Sequence, residues 1–165
     1  MKGHVRWASL VVALVASRPE AAGRLTVQHV RNARACLPSL ADAPDRLVQF
    51  TNGRYSSADV PFADMRAAAA GTLDGRASIV AEIVWNTGGS GNWEVVVLCR
   101  EENAAPECRR VYSPAPDLPD GGTMVGRIEI RDDRIYLFGD DPLHHRTNLG
   151  PLVVTTAAFQ PCRLP

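Results

Sequence analysis

The chain has 165 residues, with 18 basic and 18 acidic side chains, so its formal net charge is zero. This length is sufficient for one domain that buries a substantial apolar core without the help of a metal. No basic run or stripe occurs, which excludes the charge pattern typical of nucleic-acid-binding proteins. We therefore expect a single domain and no nucleic-acid partner.

The first 22 residues have the composition of a secretory signal peptide. Lys2 and Arg6 belong to a short basic region, residues 7–16 form an apolar run, and residues 18–23 provide a boundary with small side chains. The apolar run is too short to span a bilayer. We predict export to the periplasm or the extracellular medium, with residues 23–165 as a mature domain that has no transmembrane segment.

All four cysteines follow the predicted signal peptide. An even number of cysteines in an exported chain predicts two disulfides, for which three pairings are possible. We favour Cys99 with Cys108, because the polar residues 100–107 would form a loop between two strands, and this leaves Cys36 to pair with Cys162. The absence of a Cys-x-x-Cys pair disfavours a zinc site. We expect no metal and no cofactor.

Two segments before residue 72 have helical signals. Residues 24–40 show weak helical periodicity ended by Pro38. Residues 59–71 have Pro61 at a first helical position, a run of alanines and Gly71 as a stop, which favours a helix, although the segment also precedes strands with which it could pair. Between these two segments, residues 46–50 predict a short strand.

The central stretch of the chain predicts a buried hairpin. Residues 77–86 and 93–99 alternate with period 2, and both faces of each segment are largely apolar, as in strands covered on two sides. Gly88, Gly89 and Gly91 provide the backbone freedom that the connection needs.

The C-terminal part of the chain predicts further strands. Residues 109–113 predict a short strand that can pair back on the second central strand. Residues 114–122 form a proline-rich connector, which cannot be a central strand. Residues 123–131 and 134–139 alternate between apolar and polar side chains, as in a hairpin. A polar loop over residues 140–150 precedes a last strand. The sequence thus predicts a mainly β fold, with α+β as the alternative: an antiparallel sandwich or open barrel with one short N-terminal helix and two disulfides.

These motifs, taken together, resemble a widespread group of uncharacterised bacterial exported proteins and lipoproteins. The shared features are the Asn52-Gly53 turn, GTLDGRAS before an apolar strand, NTGGSGNWEVVVL, and RIEIRDDRIYL before a DDP loop. That group has a GDLNGDG turn, a GGSG hairpin and a paired I-x-I-x-D-G-x-I hairpin. The resemblance covers residues 46–159. It implies a mostly antiparallel β domain with residues 66–70 in a strand, and it implies no activity.

Two turns resemble known functional motifs, a calcium-binding turn and a serine-nucleophile turn, but each lacks residues that its motif requires. A D-x-D-x-D-G turn can hold calcium, but the equivalent positions here are Thr72, Asp74 and Arg76, which retain one carboxylate. Ser90 lies in a sequence similar to G-x-S-x-G, but Asn92 replaces the last glycine and the turn joins two strands instead of a strand and a helix. We interpret both as tight turns.

The densest group of polar side chains lies in residues 139–148. Asp140, Asp141, His144 and His145 within six residues are candidate metal ligands or proton-transfer groups, although adjacent histidines on an extended chain point in opposite directions. A polar loop with an arginine on a rigid β framework also suits binding of a partner.

The sequence therefore supports two hypotheses. The first is a non-catalytic exported domain that binds a macromolecule of the cell envelope or a secreted macromolecule. The second is a small secreted metal-dependent hydrolase that uses the loop from Asp140 to His145. The candidate binding residues are Trp85, Asn86, Ser90, Asn92, Trp93, Asp140, Asp141, His144, His145 and Arg146. No complete catalytic constellation is present, which favours the first hypothesis.

Overall fold

The structure, a computed structural model, describes residues 25–38, 44–86, 88, 92–102, 105–112, 124–141, 146–155 and 162. These residues form one helix and ten strands. They are α1 (Val27–Arg31), β1 (Arg34–Leu37), β2 (Arg46–Gln49), β3 (Arg54–Tyr55), β4 (Phe62–Leu73), β5 (Arg76–Asn86), β6 (Trp93–Glu102), β7 (Ala105–Tyr112), β8 (Met124–Arg131), β9 (Arg134–Asp141) and β10 (Arg146–Val154). The mainly β class with a short N-terminal helix is confirmed.

The strands form two sheets. The large sheet has the order β2-β1-β7-β6-β5-β4-β3, and the small sheet has the order β10-β9-β8. Neighbouring strands are antiparallel except β1 and β7, which are parallel. The predicted central hairpin, β5 and β6, lies in the interior of the large sheet. Val80, Ala81, Val96 and Val97 have no exposed surface, which confirms that these strands are covered on both faces.

The large sheet must curl strongly, because its two edge strands are close in sequence. In a flat sheet of seven strands the edges would lie about 29 Å apart, which is six spacings of about 4.8 Å. Only residues 50–53 connect β2 to β3, and that connection reaches at most about 18 Å. The sheet therefore bends round on itself and is nearly closed.

Two apolar cores result from this curvature. The first lies inside the curled sheet and includes Val30 of α1, Phe50, Ile83 and Val97. The second lies between the opposite face of the large sheet and the small sheet, where Val80 and Val96 meet side chains of β8, β9 and β10. Its buried members are Leu73, Val80, Val96, Leu98, Val111, Ile128, Ile135, Leu137 and Val154.

The N-terminal helix is much shorter than the segment predicted for it. Thr26 caps α1 by accepting a hydrogen bond from the backbone N–H of His29 at 3.2 Å. The helix ends after five residues, and β1 follows, because Ala35, Cys36 and Leu37 are buried by pairing with β2 and β7. None of the helices in the described part of the chain is long and apolar enough to cross a membrane.

The helix predicted for residues 59–71 is wrong, because β4 occupies most of that segment. The strand pairs with β5 from Phe62 to Leu73, and Ala63 and Met65 enter the first core. A register shift between Ala67 and Ala69 moves the following residues towards the second core. Pairing along the whole of β5 outweighs the helical propensity of the alanines. The strand implied by the family resemblance is thus observed.

Both predicted disulfides are present. Cys99 and Cys108 lie directly opposite each other on β6 and β7, with 4.0 Å between their Cα atoms. Cys36 of β1 is bonded to Cys162, with 5.6 Å between Cα atoms. The predicted loop over residues 100–107 is mostly strand, because β6 continues to Glu102 and β7 begins at Ala105.

The small sheet begins with the predicted hairpin. Asp132 and Asp133 have φ values of 48° and 60°, the left-handed conformation that its two-residue turn requires. β10 begins at Arg146, so residues 146–150, predicted as loop, belong to a strand that pairs with β9. The predicted end of this strand, residues 156–159, lies outside the described residues.

The contact between β4 and β8 gives a test of how the two sheets pack. A Cβ atom on Gly71 would lie 2.7 Å from Cγ2 and 3.0 Å from Cβ of Ile130. We therefore expect Gly71→Val to lower the free energy of unfolding by about 1–3 kcal/mol in urea denaturation, because it overpacks this contact. Ala70→Val, on the exposed neighbouring position of the same strand, is the matched control. Equal stability of the two variants would contradict the packing.

Candidate functional site: a cleft at the edge of the large sheet

An open cleft of about 470 Å³ lies beside β3, the short edge strand of the large sheet. Residues of β3, of β4 and of the connection between them form the walls, together with Thr51 before β3. The lining residues are Thr51, Arg54, Tyr55, Ser56, Pro61, Phe62, Ala63 and Asp64. The lining contains two aromatic rings, two hydroxyl side chains of Thr and Ser, and one ion pair.

The ion pair and the rings are placed by strand pairing. Arg54 and Asp64 are register partners in β3 and β4, and their side chains approach to 3.7 Å between Nε and Oδ1. The Arg54 side chain is 85% exposed, so its guanidinium can exchange this weak pair for a ligand. Tyr55 packs against Phe50 of the first core, with 6.3 Å between ring centroids, and Phe62 is 39% exposed. The cleft thus combines an anchored ring, an accessible ring and an accessible cation.

The connection from β3 to β4 forms a fixed wall of the cleft. The backbone N–H of Ser57 donates to the carbonyl oxygen of Val60 at 2.8 Å, and the N–H of Val60 donates to Oγ of Ser57 at 3.1 Å. The side chain of Val60 is 4% exposed and belongs to the first core. Asp59 is held by Arg46 at 2.9 Å. These contacts hold the connection in place without a ligand.

The cleft adjoins the predicted hairpin site. Phe62 is the register partner of Asn86, the last residue of β5. A Cβ atom on Gly88 would lie 3.9 Å from Cγ of Pro61, so the backbone after β5 runs past the cleft wall. The Asn86 side chain donates to Oδ1 of Asn92 at 3.2 Å and accepts from the N–H of Gly88 at 2.6 Å. Two predicted binding residues, Asn86 and Asn92, therefore lie at the same end of the sheet as the cleft.

The two tryptophans are directly paired across β5 and β6. Trp85 is 3% exposed and lies in the first core, and the partly buried Trp93 packs against that core. Both indoles therefore pack in or against the first core, at the ends of β5 and β6 next to the turn that joins these strands. Ser90, predicted with them, lies outside the described residues.

The polar loop predicted as a second site is described only at its two ends. Asp140 and Asp141 end β9 and Arg146 begins β10, with Asp141 and Arg146 in register. His144 and His145 lie outside the described residues. His29 is an exposed residue of α1, the helix whose Val30 enters the first core, whereas β9 and β10 cover the second core on the opposite face of the large sheet. The geometry of the described residues therefore gives no support for joining His29 to Asp141 and Arg146.

The Asp74 turn, considered for calcium, has its polar atoms engaged by the protein. The backbone N–H of Asp74 donates to Oδ1 of Asp133 at 2.6 Å, and Oδ2 of Asp74 accepts from the buried Arg100 at 3.1 Å. Arg76 pairs with Glu102 at 3.0 Å. These contacts join the turn after β4 to the turn after β8.

A pair of carboxylates between the sheets has perturbed protonation. Glu82 and Glu94 are diagonal neighbours on β5 and β6, on the face that carries Val80 and Val96. Burial raises the pKa of Glu94 to about 7; a hydrogen bond from the N–H of Val125 lowers it, and the charge of Glu82 raises it. That N–H lies 3.2 Å from each carboxylate oxygen of Glu94 and thereby links β8 to the large sheet.

Two neighbours of Glu94, the side chains of Glu82 and Tyr112, are also partly buried, and burial shifts their pKa values. Burial raises the pKa of Glu82 above its ordinary value, and the positive charge of Arg66 opposes the shift. Burial, followed by the charge of Glu94, raises the pKa of Tyr112. Perturbed groups of this kind occur at functional sites and also at structural interfaces. Because Glu94 is hydrogen-bonded to the backbone of β8, we assign this pair to the interface between the sheets.

Comparison with known proteins gives no relative for this chain. No protein-family model, no curated protein sequence and no solved structure matches it. The function must therefore be inferred from the fold and the cleft.

Sequence reasoning did not predict the cleft. Its residues come from β3 and from the start of β4, which carried the helical signals of Pro61 and the alanines. Tyr55 after the Asn52-Gly53 turn and Phe62 after Pro61 are the signals that could have indicated it, since both are aromatic residues beside turns.

The pKa of Glu94 predicts a pH dependence of stability. Because the pKa is higher in the folded state than the ordinary value of 4.5, folding favours the protonated form, and stability is lost as the pH rises from about 5 to 8. A full shift of this size corresponds to about 3 kcal/mol, which solvent screening of a half-buried group reduces to about 1 kcal/mol. Urea denaturation at several pH values should show that Glu94→Gln reduces this loss and leaves the part that the raised pKa of Glu82 contributes.

The control for this experiment is Glu107→Gln, which changes a carboxylate paired with Arg109 at the surface. We expect it to leave the loss between pH 5 and 8 in place. A Glu94→Gln profile parallel to that of the unmodified protein would contradict the assignment.

Proposed function

We infer that this chain is an exported, non-catalytic domain that binds a macromolecule of the cell envelope or a secreted macromolecule in the cleft beside β3. The observation that carries this inference is the composition of the cleft: an accessible phenyl ring, a phenol, two hydroxyl side chains and an accessible guanidinium–carboxylate pair on a fixed wall. Such a set can contact both the apolar and the polar parts of an extended ligand.

The chemistry of the lining favours binding over catalysis. No histidine or cysteine is among the described residues that line the cleft, and the one carboxylate of the lining, Asp64, is paired with Arg54, which does not favour it as the base that a nucleophile requires. The alternative hydrolase hypothesis depends on the Asp140–His145 loop, and no observation on the described residues favours it. Binding is therefore the function that we propose.

Export is supported by independent features. Two disulfides are typical of proteins that mature in oxidising compartments. The N-terminal sequence has the regions of a secretory signal peptide. Membership of the group of bacterial exported proteins remains a prediction from the motifs of residues 46–159. An exported location would place the cleft in contact with envelope glycans, envelope proteins and secreted proteins.

Binding can be tested with the purified, oxidised protein immobilised and exposed to envelope glycan fragments and to envelope and secreted protein extracts. We expect one class of macromolecule to be retained. We expect Phe62→Ala and Arg54→Ala each to weaken its binding by about tenfold, because each removes an accessible contact of about 1 kcal/mol. Both side chains are exposed enough for the fold to persist.

Matched controls lie on the small sheet. Leu152 is a 48% exposed apolar residue and Arg134 is an exposed arginine, so Leu152→Ala and Arg134→Ala should leave binding unchanged. Equal affinity of the cleft variants and the unmodified protein would exclude the cleft. Retention of neither glycans nor proteins would exclude the proposed function.

A further inference from the structure

A buried charged pair lies against one of the two disulfides. Oδ2 of Asp45 lies 3.6 Å from Sγ of Cys36, and the Asp45 side chain has no exposed surface. Nη2 of Arg110 lies 4.0 Å from the same carboxylate oxygen, and the Arg110 side chain is 9% exposed. Within the described part of the chain, Nε of Arg110 has no hydrogen-bond partner.

This environment favours the reduced form of Cys36. A disulfide sulfur has no hydrogen, so the approach of Cys36 to Asp45 is a contact without a hydrogen bond in the oxidised protein. A thiol at Cys36 would have an acceptor already in place at 3.6 Å. A hydrogen bond to a charged acceptor contributes more than a neutral one, and groups that stabilise the reduced form make a disulfide easier to reduce.

The two sulfurs also differ in access. Cys36 is 3% exposed, whereas Cys162 is half-buried. Cys99 and Cys108 are 0% and 2% exposed. An external thiolate therefore reaches Cys162 first, and Cys36 is the leaving sulfur. Nη2 of Arg110 lies 4.0 Å from the Asp45 oxygen that contacts Cys36, so its positive charge offsets the carboxylate's repulsion of the negative charge that develops on that sulfur as the bond breaks.

We propose that Cys36–Cys162 is a thiol–disulfide exchange site for a dithiol reductant, in addition to its role as a crosslink. The reductant's thiolate attacks Sγ of Cys162, the Cys36–Cys162 bond breaks, and its electron pair stays on Sγ of Cys36. Cys36 takes up the proton that the attacking thiol released to water and donates it in a hydrogen bond to Asp45. The reductant's second thiolate then displaces Cys162, which takes up the second proton, and the reductant leaves as a disulfide.

Reduction would release residue 162 from β1 while the crosslink between β6 and β7 persists. Cys99–Cys108 joins neighbouring strands inside the first core, so it is expected to hold the central sheet in either state. The exchange site thus controls whether Cys162 is covalently linked to β1 of the large sheet. This inference concerns a different part of the molecule from the cleft and does not depend on the proposed binding function.

The proposal can be tested by equilibrating the full chain in buffers of reduced and oxidised dithiothreitol, followed by alkylation and mass spectrometry of the cysteine peptides. We expect Cys36–Cys162 to reach half-reduction at a ratio of reduced to oxidised reagent at least tenfold lower than Cys99–Cys108. Equal ratios for the two bonds would overturn the proposal.

Asp45→Asn separates exchange from a purely structural role. If Asp45 stabilises the reduced form, the variant needs about tenfold more reductant for half-reduction, since an amide oxygen is a weaker acceptor than a carboxylate. If the bond is only a crosslink, the variant is reduced at the same ratio or more easily, because Arg110 loses its counter-charge and the fold is weakened. The latter result would overturn the proposal.

Single-cysteine variants test the direction of attack even if Asp45→Asn does not fold. Cys36→Ser leaves Cys162 free, and Cys162→Ser leaves Cys36 free. With glutathione disulfide as the probe, we expect Cys162 to form the mixed disulfide at least tenfold faster than Cys36. Equal rates, or faster reaction at Cys36, would contradict attack at Cys162 and overturn the assigned mechanism.

Discussion

The fold depends on burying β5 and β6 on both faces at once. Along β6, consecutive side chains Val96 and Val97 belong to different cores, and neither has exposed surface. One core requires the large sheet to curl around it, and the other requires the small sheet to cover the opposite face. The β5–β6 hairpin therefore contributes buried side chains to both cores. Its β-branched residues suit strands that are packed on both faces.

This central burial places the candidate functional groups at the periphery. The cleft lies beside β3, one of the two edge strands of the large sheet, and its lining comes from residues 51–64. The Cys36–Cys162 bond lies on β1, next to the other edge strand, β2. Glu94 belongs to neither site, since it lies between the sheets, and its raised pKa reflects the cost of burying a carboxylate at that interface.

The sequence predicted elements whose signals are local and missed those that depend on distant partners. The alternation in β5 and β6 and the two disulfide pairings followed from spacing and composition, and the structure confirms them. The helix expected before Gly71 failed, because alanines favour a helix locally but follow their neighbours when a long strand is available for pairing. The cleft could not be predicted for the same reason. Tyr55 and Phe62 line one cleft only when β4 is a strand that pairs with β3.

Amide hydrogen exchange, followed residue by residue in the oxidised protein, tests the central role of the hairpin most directly. If both cores depend on β5 and β6, the amides of Val80, Ala81, Val96 and Val97 should exchange only through global unfolding, with the free energy measured by denaturation. The amides of β8 and β10 should exchange through smaller openings. Exchange of the β5 and β6 amides at a lower free energy than those of β8 would contradict the account.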